Sequence, residues 1–210
     1  MASEVQICNL ALSHLGAYSI TSLTDSTRKE SRECNILYDT ARDSVLRDNV
    51  WSFATKRLAL ALLSDTYSGW TYAYQYPTDC LNIIRIHNDY TPVSNLNYCW
   101  NHSEYRDPGK VEFEVASDSA LSNKIILTNK SDAELIYTGR VTDANMFDAE
   151  FIDALSWRLA SELALPLKGS LQLSQSLFQV YLMKSGQARA ASVNEGYNLM
   201  ENDNAFVDAR

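Results

Sequence analysis

The chain has 210 residues, 46% hydrophobic and 21% charged, with a formal net charge of −8. That composition is ordinary for a folded protein and excludes a chain disordered throughout. The acidic balance keeps a protein soluble and argues against gripping nucleic acid by neutralising phosphates, though a negative wall would let a passing duplex stay mobile.

In chain order, Val5, Cys8, Ala11, Leu12 and Leu15 recur at helical spacing between a Ser3 cap and Gly16, which predicts a first helix. A loop follows, with Ile20 and Leu23 as anchors. Cys34, Leu37, Tyr38, Ala41, Val45 and Leu46 then form a stripe at three- and four-residue steps, predicting a helix from a Ser26 or Thr27 cap to about Asp48. Val50 to Ala61 reads as a bend and then a short strand or extended segment, with Trp51 and Phe53 as core anchors, and Ser64 to Gly69 as a polar turn. The apolar run Leu58 to Leu63 is far too short to span a bilayer. The N-terminus lacks a basic region followed by an apolar stretch, so residence in a cytoplasm is expected.

From Trp70 to about Val141 the period changes to alternation. Tyr72 to Tyr76, Leu81 to Ile86, Val111 to Val115, Lys124 to Thr128 and Ala133 to Val141 are predicted strands, paired antiparallel through turns such as Asp107 to Gly109. Helical spacing returns at Phe147, Phe151, Ala154, Leu155, Leu159 and Leu163, and Pro166 with Gly169 is expected to end it. A last helix runs from Leu171 to about Asn198. The order helices, strands, helices predicts an α+β protein, a helical bundle made from N- and C-terminal helices with an inserted small antiparallel β domain. The expected limits are 1–65 and 145–198 for the bundle, 66–144 for the β domain, and 199–210 for a C-terminal docking tail.

Cys8, Cys34, Cys80 and Cys99 are too far apart for a local metal clip, and His14, His87 and His102 add no zinc spacing. Buried thiols are the expectation, with no metal, no cofactor and no catalytic residue. His14 is expected as a partly buried polar residue, and Trp157 with Trp51 and Phe53 as core. Strict alternation puts Tyr72, Tyr74 and Tyr76 on one face, with Trp70 beside them. Such rings suit a protein interface or pack the β domain onto the bundle. Arg42 and Arg47 would bridge to a neighbour's carboxylates or sit on a solvated face beside Asp39 and Asp43.

One set of motifs, in order, carries a resemblance. They are A-L-S-H-L-G (Ala11 to Gly16), I-T-S-L-T-D (Ile20 to Asp25), C-N-I-L-Y-D-T-A-R-D-S-V-L-R (Cys34 to Arg47) and W-S-F-A-T-K-R-L-A-L (Trp51 to Leu60). Y-A-Y-Q-Y-P-T-D-C-L (Tyr72 to Leu81), L-T-N (Leu127 to Asn129) and A-L-S-W-R-L-A-S-E-L-A-L-P-L (Ala154 to Leu167) continue them. The chain resembles the tail tubular protein A, or head–tail adaptor, family of short-tailed bacteriophages from about Ala11 to Leu167. Val50 departs from a Pro common in the family, and Tyr90 to Lys110 and the chain after Met183 carry no matching landmark.

The resemblance implies a virion protein of the tail, assembled in the host cytoplasm. Its partners would be further copies in a ring of twelve, the portal protein and the tail nozzle protein. Genome DNA would pass through the channel without sequence-specific binding, and no membrane is involved. It implies association rather than catalysis. Phe206 and Val207, small apolar anchors in the polar tail, suit docking on the portal. The alternative is a tail-associated cell-wall hydrolase using paired carboxylates among Asp39, Asp43, Glu112, Glu114, Asp148, Glu150 and Glu162. G-x-S-x-G and a phosphate-binding Gly loop are both absent from the sequence.

Overall fold

The computed structural model describes residues 3–88 and 111–195. The protein is α+β, and its described residues hold four α-helices and two antiparallel three-stranded sheets. The helices are α1 (Glu4–His14), α2 (Lys29–Asp48), α3 (Ala149–Lys168) and α4 (Leu171–Glu195). The strands are β1 (Thr55–Ala59), β2 (Tyr72–Gln75), β3 (Cys80–Ile86), β4 (Phe113–Ser117), β5 (Lys124–Thr128) and β6 (Glu134–Gly139). Contacts divide the chain into a helical unit, Val5–Leu37 with the chain from Asp148 onward, and a strand unit, Tyr38–Phe147. The division falls inside α2.

In the helical unit, α1 buries Cys8, Ala11 and Leu12 of its predicted stripe together with Ile7, while Val5 is half-buried. Gly16, at φ +59°, takes the left-handed conformation that a residue with a Cβ resists. The loop after it is pinned by Asn9, whose amide donates to the Ile20 carbonyl at 2.9 Å and accepts from the Ile20 N–H at 2.8 Å. Four cations add to the pinning by donating to main-chain carbonyls: Arg28 to Ser19, Arg32 to Ser26, Lys29 to Pro166 and Lys168 to Gly16. α3 buries Phe151, Ala154, Leu155, Leu159 and Leu163 and packs on α4, which supplies Leu177 and Tyr181. Each of these Leu and Phe side chains contributes about 1.5–3 kcal/mol by leaving water.

Of the two expected stops, α3 passes through Pro166 and ends at Gly169. It runs on to Lys168, because a proline in the last turn loses a single helical hydrogen bond. The stop is Gly169, at φ +65°, whose N–H closes the helix on the Leu165 carbonyl at 2.9 Å. Of the last predicted helix, α4 accounts for the chain to Glu195. The rest of that prediction, the tail 199–210 and the Asp107 to Gly109 turn lie outside the described residues.

The strand unit holds one sheet in the order β1-β6-β3 and another in the order β2-β5-β4. Strand pairing therefore begins with β1, ahead of residue 66, because Thr55–Ala59 lies antiparallel to β6 with Lys56 opposite Tyr137. Gly139 makes room for this edge. A Cβ there would stand 2.8 Å from the Lys56 stem, which crosses it to reach Asp79 at 2.6 Å. The hairpin from β4 to β5 is closed by Asp118, which accepts from the Ser122 N–H and hydroxyl at 2.8 Å each, and from Asn123. Those donors, Ser122 first, hold its carboxyl down to about 2. The core of the unit is Tyr74, Ile86, Ile126, Ala133, Leu135 and Tyr137.

Candidate interaction surfaces

The tyrosine stripe forms as its alternation predicts, but its position is the core. Tyr74 is 2% exposed and its hydroxyl donates to the Lys130 carbonyl at 3.0 Å. Tyr72 leans on it with ring centroids 6.3 Å apart, and Tyr76 packs against the same cluster. As an interface anchor Tyr74 is therefore corrected, because β5 and β6 cover its face with Ile126 and Leu135. Tyr72 and Tyr76 remain half-buried at the rim, and Trp70 lies half-buried on the opposite cluster of Ala73, Ile125 and Leu127. The Trp70 indole donates to the Glu114 carboxylate at 3.0 Å. Lys124 stands 5.5 Å above the Tyr76 ring, and burial, then Cys80, pushes the Tyr76 phenol above its ordinary value.

Arg42 is likewise corrected. It is 4% exposed, with its guanidinium bonded to Asp39 at 2.8 Å and Asp43 at 2.9 Å and lying 6.0 Å from the Tyr38 ring. Asp43 also holds Arg140 at 2.8 Å, so the cation is spent within the unit. Arg47 is exposed. Trp51 is buried and donates to the Val45 carbonyl at 2.9 Å, while Phe53 is half-buried between Trp51 and Phe147. Phe206 and Val207 lie outside the described residues.

Open cavities occur in both units among the described residues. A groove of about 340 Å3 in the strand unit is lined by Leu58, Leu60, Tyr76, Pro77 and Asp79. Asp79 accepts from Lys56 and, at 3.0 Å, from the Tyr137 hydroxyl. Burial pushes the Asp79 carboxyl up, but the two donors outweigh it and leave it below the usual range. Burial, then Asp79, raises the Tyr137 phenol to about 12. A cavity of about 250 Å3 between α3 and α4 is lined by Arg158, Ser161, Glu162, Gln175 and Phe178. Arg158 there is already bonded to Glu162 at 2.8 Å and covered by the Phe178 and Tyr181 rings.

His14 stacks on Trp157 at 3.7 Å, nearly parallel, with its Nε2 3.1 Å from the Ser156 hydroxyl. This is no nucleophile–base relay. Ser156 is buried and donates to the Asp153 carbonyl, while the Asp153 carboxylate holds Trp157 and Lys184. Among the carboxylates weighed for hydrolysis, Asp39 and Asp43 hold Arg42, Glu162 holds Arg158 and Glu114 holds Trp70. Cys8 and Cys34 are buried, and Cys99 lies outside the described residues. Among the described residues no group of three or more His, Cys, Asp or Glu is placed to hold a metal, and no described helix is long and apolar enough to cross a membrane.

Compared with known proteins, the chain matches no family model and no curated protein.

The surface that residue-by-residue reading missed is the outer side of α4. Leu171, Leu182 and Met183 are exposed there, Met183 by 64%, beside the exposed amides Gln172, Gln175 and Gln179. No charge occurs from Leu171 to Met183. The signal was present as apolar residues on every side of the helix, a pattern that marks a helix covered on more than one side.

Proposed function

We propose that this chain is a structural subunit of a head-to-tail adaptor ring. In that role it joins a portal to a tail nozzle and extends the channel through which genome DNA is packaged and ejected. The observation that carries the reading is the ordered run of motifs from Ala11 to Leu167, resembling the adaptors of short-tailed phages over most of the chain. The finer architecture proposed is a helical bundle from both ends of the chain with the β domain inserted. The uncharged outer side of α4 supports the association role, because an exposed apolar patch on a chain of net charge −8 is better covered than wet.

In this reading the chemistry is association, with no catalytic step and no cofactor. Among the described residues, Tyr72, Tyr76, Trp70 and Arg47 are the members of the expected interface set that reach the surface. The tail with Phe206 and Val207 docks on the portal. The acidic balance keeps the passing duplex from adhering. The twelve-fold count, the virion location and both partners follow from the resemblance. Electron microscopy of the purified protein mixed with its cognate portal tests the reading. A second ring stacked on the portal is the expected image, and bare portals would sink it.

A further inference from the structure

Among the open edges of the strand unit, β1 and β4 carry opposite charge. Along β1, Leu60 donates inward to the Ala133 carbonyl of the β6 side at 2.9 Å. Alternation then turns the N–H and C=O of Arg57 and Ala59 outward. Further along the same edge those positions are taken by β2, with Gln75 donating to the Ala61 carbonyl at 2.9 Å and Leu63 to that of Ala73 at 2.8 Å. Pro77, which has no N–H, ends that pairing, so the edge stays open over Arg57–Ala59 among the described residues.

The second edge is β4. The Lys124 carbonyl of β5 faces β2, where it accepts from Tyr76. Ile125 and Leu127 therefore face β4 and engage Ala116 and Glu114. That leaves the main-chain groups of Phe113, Val115 and Ser117 turned outward, with nothing paired to them among the described residues.

Charge decides what fits these edges. Arg57 is exposed on β1 without a carboxylate partner among the described residues, and Lys56 stands next to it. Glu112 and Glu114 are exposed on and beside β4. Two β1 edges would set cations against cations, and two β4 edges acids against acids, which disfavours both like pairings. The mixed pairing sets Arg57 near Glu112 and Glu114. It also covers Leu58 (42% exposed) and Val115 (46% exposed), the apolar residues left open on the two edges.

We propose that the β1 edge of one subunit pairs with the β4 edge of a second copy, adding a strand across the boundary between them. Each copy carries both edges on different sheets, so the contact is head-to-tail. Repeated head to tail, it closes into a ring or runs on as a filament. This pairing rests on the assembly reading above and names the contact that would propagate it.

The test uses the full chain with its cognate portal and reads the assembled fraction by mass in solution. Arg57→Glu alone, and Glu112→Lys with Glu114→Lys, each put like charges across the contact and are expected to lower assembly roughly tenfold. Combining the three substitutions restores opposite charges and should recover assembly. Val115→Pro removes an outward N–H on an edge strand, where proline is tolerated, and should lower assembly with an unchanged circular dichroism spectrum. Wild-type protein that assembles while the charge variants assemble equally well would overturn the pairing and leave the adaptor reading standing. So would failure of the combined variant to recover. Wild-type protein that stays monomeric beside the portal would remove both.

Discussion

At Tyr74 the alternation of the sequence is legible but its meaning is not. Period two fixes which side chains share a face; it does not say whether water, a partner or another strand covers that face. The deciding residues, Ile126 and Leu135, are about fifty and sixty positions away and enter only through pairing with β5 and β6. Tyr74→Ala should therefore cost about 3–5 kcal/mol as a core deletion. Tyr74→Phe should cost about 1 kcal/mol through the lost bond to Lys130. Urea unfolding checks both, and an alanine variant as stable as wild type would contradict the placement. Arg42 shows the opposite balance. Its partners Asp39 and Asp43 are readable from helical spacing, whereas its burial is not. His14 carries a pH prediction. Burial is the largest influence and holds its imidazole below the ordinary 6.5; Asp153 pulls it up and Lys184 pushes it down. Folding thus favours the neutral ring. Its contribution is full above about pH 6.5 and is lost as pH falls through the lowered folded value. The His14 proton resonance should titrate below 6.5, and wild type should lose more stability than His14→Gln on acidification through that range. A midpoint at or above 6.5 would refute this.

Among elements, those with a clear apolar stripe or a short apolar run were readable. α1, α2 and α3 follow the three- and four-residue stripes, and β5 matches its apolar run of Lys124–Thr128. Elements whose ends depend on a neighbour were less so. β1 opens on the polar Thr55, Lys56 and Arg57, and only its pairing with β6 fixes the expected short strand or extended segment as a strand. Pro166 looks like a stop and is not, since the left-handed Gly169 holds that role. Gly169→Ala would force a Cβ into that conformation and should cost roughly 1 kcal/mol. The expected readout is a lower urea midpoint with an unchanged slope. A midpoint equal to wild type would show that α3 ends by other means. α4 was readable as a helix from Leu171, but its inward face was not. With apolar residues on every side, its sequence names no single inward face, and α3 selects the one bearing Leu177 and Tyr181.

For the whole molecule, composition and the order of periods were enough for α+β, because helices at both ends and strands between leave few other arrangements. The limits of the two units were not readable. Their division falls within α2 near Tyr38, and a continuous helix carries no breaker to mark a change of neighbours. The site was legible only as chemistry: aromatic rings and arginines were found, yet the positions left for a partner are edges and outer faces that exist only after folding. Arg57, Glu112 and Met183 carry no distinguishing local pattern. The central claim, that this chain works by associating with copies of itself and with a portal, is tested most directly by its mass in solution, alone and mixed with that portal. The account predicts a species containing the portal and many copies of the chain. A chain that keeps the mass of a single copy and never travels with the portal would contradict it.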